Sequence, residues 1–171
     1  MSVLEIIDQE ENADNKYLLL RLCTENFAIN VNYVKEILAH DSELTTIPGS
    51  PPYILGVVNL RGAAIPVIDL RIKFGLKSSF ADENFRIIII EYQSENIKIK
   101  IGALADKVLD VVYVAPNDFS DAPKLSANWK AEFINGLFRL DERFIISLNI
   151  DKLLEYDEKL FLGEALDYND Q

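Results

Sequence analysis

The chain has 171 residues, 49% of them apolar and 26% charged, with a formal net charge of −11. That length allows one ordinary domain or two very small ones, and the apolar share is enough to build a core. Negative charge without any cluster of Lys and Arg excludes a nucleic-acid partner, and apolar runs as short as "IIII" at 87–90 exclude direct membrane insertion.

The opening segment "MSVLEIIDQEENADNK" is acidic and lacks the basic start and long apolar stretch of a signal peptide. Residues 1–15 read as a solvated, disordered arm and the chain as cytoplasmic. Its one cysteine, Cys23, rules out an internal disulfide framework, fits a reducing compartment, and is expected buried within "YLLLRLC". "KYLLLRLC" and "FAINV" form a hairpin across "TEN", followed by the short amphipathic "YVKEIL". "TTIPGSPPYI" carries three prolines and reads as a fixed loop. Two short strands, "GVVNL" and "AAIPVIDL", flank Arg61-Gly62, and Pro66 confines its strand position to an edge or bulge. "FRIIIIEY" and "NIKIKIGAL" form the next hairpin, and "INGLFRL" with "RFIISLNI" the last. Ile88, Ile90, Ile99, Ile101, Val58, Ile65 and Val67 are expected in the core. Only "DKLLEYDEKLFLGEAL" has helical spacing, and residues 155–171 read as a C-terminal helix and tail.

The catalytic inventory is thin. His40 is the only histidine, it lies in the polar "LAHDSE", and it is expected in solvent. The seven glycines are scattered singly, with no phosphate-cradling motif. No catalytic residue, metal ligand or cofactor is assigned, and the protein is not expected to be an enzyme.

The order of elements repeats. "AINVNYVKEI" overlays "GALADKVLDV", which sets Val34 against Val108, Glu36 against Asp110 and Ile37 against Val111. "GVVNLRGAAIPVIDL" overlays "GLFRLDERFIISLNI", with one residue inserted. Two halves of about 75 residues with some five strands each suggest two small barrels on a shared core. The expected division is a single unit, 16–154, made of subdomains at about 16–84 and 85–154 that may exchange terminal segments.

These pieces, with "G-x-x-N-L-R-G-x-x-x-P-[VI]-[VI]-D-L-R", run in order from about Tyr17 to Leu154, and the sequence resembles the CheW family of bacterial chemotaxis coupling proteins. The resemblance implies a mostly β fold of two SH3-like five-stranded barrels with short helices. It also implies a non-enzymatic adaptor that joins the cytoplasmic tip of a methyl-accepting chemoreceptor to the regulatory domain of the histidine kinase CheA. A related adaptor serving twitching or gliding is an alternative; a small-ligand-binding barrel is a second, from a different class.

The resemblance also marks a receptor groove between the barrels, at Val34, Glu36, Ile37, Gly56, Val57, Arg61 and Val108. Arg61 needs a carboxylate near an apolar surface, and Glu36 is the candidate. The pair would lock two strands of one barrel, shape the receptor contact, or both. Gly56 is expected where another backbone or a partner helix comes close. Phe119 and Leu125, in "APNDFSDAPKL", are the candidate kinase contacts.

Overall fold

A computed structural model describes residues 13–76, 84–94, 97–121 and 131–154. The N-terminal arm through residue 12, the segment holding Leu125 and the tail 155–171 lie outside the described residues. The strands are β1 (Lys16–Leu22), β2 (Glu25–Asn30), β3 (Val34–Leu38), β4 (Leu44–Thr45), β5 (Ile54–Leu60) and β6 (Ala63–Asp69). A second set follows: β7 (Arg86–Ser94), β8 (Ile97–Ala105), β9 (Lys107–Tyr113), β10 (Phe119–Ser120), β11 (Ile134–Leu140) and β12 (Arg143–Leu148). A four-residue helix, α1 (Leu70–Lys73), follows β6, and residues 150–154 begin a helix in the corresponding place after β12.

Two six-stranded sheets result, ordered β10-β11-β12-β2-β1-β9 and β4-β5-β6-β8-β7-β3. The orders are the same when each strand of one set is matched to its counterpart six places on in the other. Each sheet joins a hairpin from one repeat to four strands of the other. The boundary near 84/85 therefore separates the two repeats, whereas the sheets divide where the chain crosses between them, at residues 31–33 and at Asp106. The parallel contacts agree in register: Ser147 pairs with Ala28 as Val67 pairs with Gly102. No residue is inserted between the two hairpins. Gly56 to Leu70 matches Gly136 to Ile150 position for position, with two-residue turns at Arg61-Gly62 and Asp141-Glu142.

The hairpins are exchanged because their strands are apolar on both faces. In β1, Leu18, Leu20 and Leu22 enter the core shared by the two sheets, while Leu19 faces Phe138 and Ile145 inside the first sheet. In β7, Ile88 and Ile90 enter the shared core, while Ile87 and Ile89 pack with Val58, Ile65 and Val67 inside the second. Such strands satisfy both faces only between two cores, which accounts for the uninterrupted "YLLL" and "IIII". The second sheet curls until β3 meets β5, and Leu38 joins Leu44, Leu55 and Leu60 in one cluster. The molecule is thus mostly β, with two SH3-like strand sets and a few short helices.

Two core expectations change. Ile99 is only half-buried, because it lies near the start of β8, between the exposed Lys98 and Lys100 that reach across to Glu91. Cys23 is also only partly buried: with φ 58° it forms the β1–β2 turn. Desolvation, and then the nearby Asp106 carboxylate, push its thiol above its ordinary pKa, away from the reactive thiolate. His40 is exposed, as expected, with its ring edge-on to Phe85. Ile101 is fully buried in the shared core, so Ile101→Val should cost about 0.5–1.5 kcal/mol in a urea melt.

Candidate functional site

Arg61 stands at the tip of the β5–β6 hairpin. Leu60 and Ala63 pair across a two-residue turn in which Arg61 has φ 50° and Gly62 φ 86°. Two successive positive φ values match the right-handed twist of the strands, and the second position suits glycine. Asn59 Oδ1 accepts the Gly62 N–H at 2.8 Å and holds the turn. The left-handed arginine directs its guanidinium to the edge strand β3, where Nη1 and Nη2 donate to Glu36 Oε2 and Oε1 at 3.1 and 3.3 Å. This two-pronged bond closes the curled sheet at its rim. The Arg61 side chain is 76% exposed and that of Glu36 27%, so water screens the pair.

Val34 is buried, and Ile37 and Val108 are partly buried, all against the shared core. Val34 and Ile37 come from β3, an edge of the second sheet, and Val108 from β9, an edge of the first. Val57 is half-buried on β5 opposite Thr45. Gly56 is buried, and a Cβ there would meet the Thr45 carbonyl oxygen. The backbone that approaches Gly56 is therefore the chain's own β4. Its counterpart Gly136 lies against the Ser120 carbonyl of β10 in the same way.

Phe119, the candidate kinase contact, is not an exposed ring. It is half-buried, with its centroid 5.3 Å from Tyr17 and 5.5 Å from Phe138, because β10 lays it over the mouth of the first sheet. Among the described residues, the large exposed apolar side chains of that sheet are Leu109, Tyr113 and Phe144, at 37%, 60% and 64%.

A buried ionic network escaped the sequence reading. Arg71 donates through Nε and Nη2 to the two oxygens of Asp69, at 3.0 and 2.9 Å, and through Nη1 to Asp106 Oδ1 at 2.9 Å. Asp69 Oδ1 also accepts the Arg71 N–H, and Asp106 Oδ2 the Cys23 N–H. All three residues are buried, and the Asp69 hydrogen bonds in particular raise the Arg71 pKa. The signal was present as "DLR" and as the lone "D" of "LADKV", but neither residue type announces a buried partner.

Tyr33, which precedes β3, donates its hydroxyl to Asp151 Oδ1 at 2.9 Å. Burial first, and this bond second, push its pKa from 10.0 up to about 12. The folded protein therefore holds the phenolic proton more tightly than the unfolded chain. The resulting stability is complete below pH 10 and is lost as pH rises from 10 towards 12. Tyr33→Phe should remove that part of the decline when urea midpoints of the two proteins are compared between pH 9 and 11.5.

Among the described residues, no group of three or more His, Cys, Asp and Glu side chains is placed to hold a metal ion, and no helix is long and apolar enough to cross a membrane. Residues 16–158 match the family model described as CheW-like domain. The chain is 33% identical over 148 residues to the chemotaxis protein CheW of Klebsiella aerogenes, covering 86% of each chain. It is 36% identical over 115 residues to that of Bacillus subtilis, covering 67% of this chain and 70% of the relative. A crystal structure of the scaffolding protein TtCheW from Thermoanaerobacter tengcongensis superposes with a TM-score of 0.71 at 30% identity, covering 80% of this chain and 84% of the other.

Proposed function

Since the chain belongs to the CheW-like domain family and is a chemotaxis scaffolding adaptor rather than an enzyme, we propose that it couples the cytoplasmic tip of a methyl-accepting chemoreceptor to the regulatory domain of the histidine kinase CheA. It would work in the cytoplasm, on membrane receptor arrays that it reaches through its partners. Residues 16–154 would act as one unit, with 1–12 and the tail 155–171 outside it. Ala13–Asn15, expected in the arm, belong to the unit instead, because the Asn15 carbonyl accepts the Val114 N–H and Asp14 accepts from Asn30 and Asn32.

The observation that carries this reading is the Arg61–Glu36 pair. A guanidinium 76% exposed does little for the fold, yet it is held in a defined direction by a strained turn and two hydrogen bonds. That suits a group presented to a partner. Ile37 and Val108, both partly buried, supply apolar surface on the edge strands β3 and β9, with Val34 buried in the core behind β3, which fits the apolar stripe of a receptor helix. Val57 contributes on the β5 side, and Gly56 contributes indirectly, by seating β4. For the kinase contact, the segment holding Leu125 is retained, whereas Phe119 serves packing.

The test is Arg61→Ala, Glu36→Ala and the double variant. Each should lose about 1 kcal/mol or less in stability, because the pair is solvated. Kinase binding should survive, and receptor-dependent activation of CheA should fall sharply in all three. Unfolding of Arg61→Ala, or coupling at the unmutated level, would remove this assignment.

A further inference from the structure

We propose that Arg71 is a positioning residue for the adaptor: by holding the Asp69 and Asp106 carboxylates together it fixes the angle between the two sheets, and with it the spacing of the edge strands β3 and β9. The proposal rests on the reading that Val34, Glu36 and Ile37 on β3 and Val108 on β9 meet the receptor.

Asp106 is the single residue between β8 of the second sheet and β9 of the first. Its N–H donates to the Arg21 carbonyl at 2.9 Å and its Oδ2 accepts the Cys23 N–H at 2.7 Å, both on the first sheet's hairpin. Its Oδ1 takes one prong of Arg71, whose other donors hold Asp69 at the end of β6 in the second sheet. One rigid, planar cation thus ties a crossing point to both sheets, and β9 begins at the next residue. The network places two carboxylates and one guanidinium out of water, with side-chain exposures between 3% and 11%. Apolar side chains of similar volume commonly match or exceed such a group in stability. What the network adds is directional geometry.

The other crossing is built differently. In the repeat overlay, Asp106, Asp69 and Arg71 correspond to Asn32, Asn149 and Asp151. There the Asn32 N–H donates to Asn30 Oδ1, and Asp151 accepts an exposed bond from the Tyr33 hydroxyl. No guanidinium stands at that point. A second buried bond, from Lys73 Nζ to the Leu153 carbonyl at 3.3 Å, joins α1 to the segment after β12 but involves neither crossing residue. Of the two crossings, the one at Asp106 carries the buried ion pair, and the clamp sets the geometry there.

The test uses the full chain with Cys23→Ser and nitroxide labels at Ala64→Cys and Phe144→Cys, exposed matching positions on the two sheets. The variant Asp69→Asn/Arg71→Met/Asp106→Asn neutralises the network without stranding a charge; Arg71→Lys, which keeps the charge but loses the fork, serves if the triple variant does not fold. With an unchanged circular dichroism spectrum, the inter-label distance distribution by pulsed dipolar spectroscopy should at least double in width. Affinity for a soluble receptor-tip hairpin should fall tenfold or more, with capture of the CheA regulatory domain within twofold of the unmutated protein. A folded variant with the unmutated width overturns the proposal, as does a broadened one with undiminished tip affinity. If the unmutated protein does not bind the tip, the functional reading itself falls and the proposal with it.

Discussion

Arg71→Ala is expected to lose about 3–5 kcal/mol of stability, because the change strands two buried carboxylates without their cation. Asp69 and Asp106 would keep their backbone donors, the Arg71 and Cys23 N–H groups, but lose all three guanidinium bonds. Urea unfolding at neutral pH measures the loss. Restoring neutrality, with Asp69→Asn and Asp106→Asn added, should recover most of it. A loss below about 1 kcal/mol would mean that water reaches the carboxylates, as at an exposed pair. Arg61→Ala is the internal contrast: one arginine is buried and structural, the other exposed and presented.

Gly56→Ala is the second large effect. Gly56 has φ 150°, and an added Cβ would lie against the carbonyl oxygen and carbon of Thr45, with Thr46 Cα at 3.3 Å. These are backbone atoms of β4, which cannot swing aside as a side chain can. Steric overlap and backbone strain act together, and a loss of about 3 kcal/mol or more follows. Gly136→Ala should cost less, about 1–2 kcal/mol, since Gly136 lacks the positive φ and its Cβ would stand 2.8 Å from the Ser120 oxygen. Equal thermal shifts for the two variants would show that the carbonyl contact common to both sets the loss and that the positive φ of Gly56 adds nothing.

Much of this was legible in the residues. Hairpins with a two-residue turn and runs of β-branched side chains marked their own strand positions, whereas the parallel pairing of Ser147 with Ala28 and of Val67 with Gly102 was not read from the sequence, because it joins strands of different repeats. The Arg61–Glu36 pair was legible through the family resemblance. Strand β9 was not: "KVLDVVY" is an edge strand with most residues at least partly exposed, so it lacks the clean alternation that marks a half-buried strand. The Asp69–Arg71–Asp106 network was not legible either. Its members lie 2 and 35 positions apart, and only the crossing of the chain between sheets brings them together. Phe119 misled because a single aromatic residue in a polar loop looks the same in sequence whether it faces water or caps a neighbouring core.

The exchange of hairpins has a consequence for the order of synthesis. Strands β1 and β2 leave the ribosome well before their sheet neighbours β9 and β12; Tyr17 must find Val112, and Phe27 must find Ile146. Until then the first hairpin has both long edges open and both faces apolar, the condition under which nascent chains aggregate. High contact order slows the closing step further. Severing the chain at the junction of the repeats would yield two fragments that each hold two strands of one sheet and four of the other, so they should regain structure only when mixed.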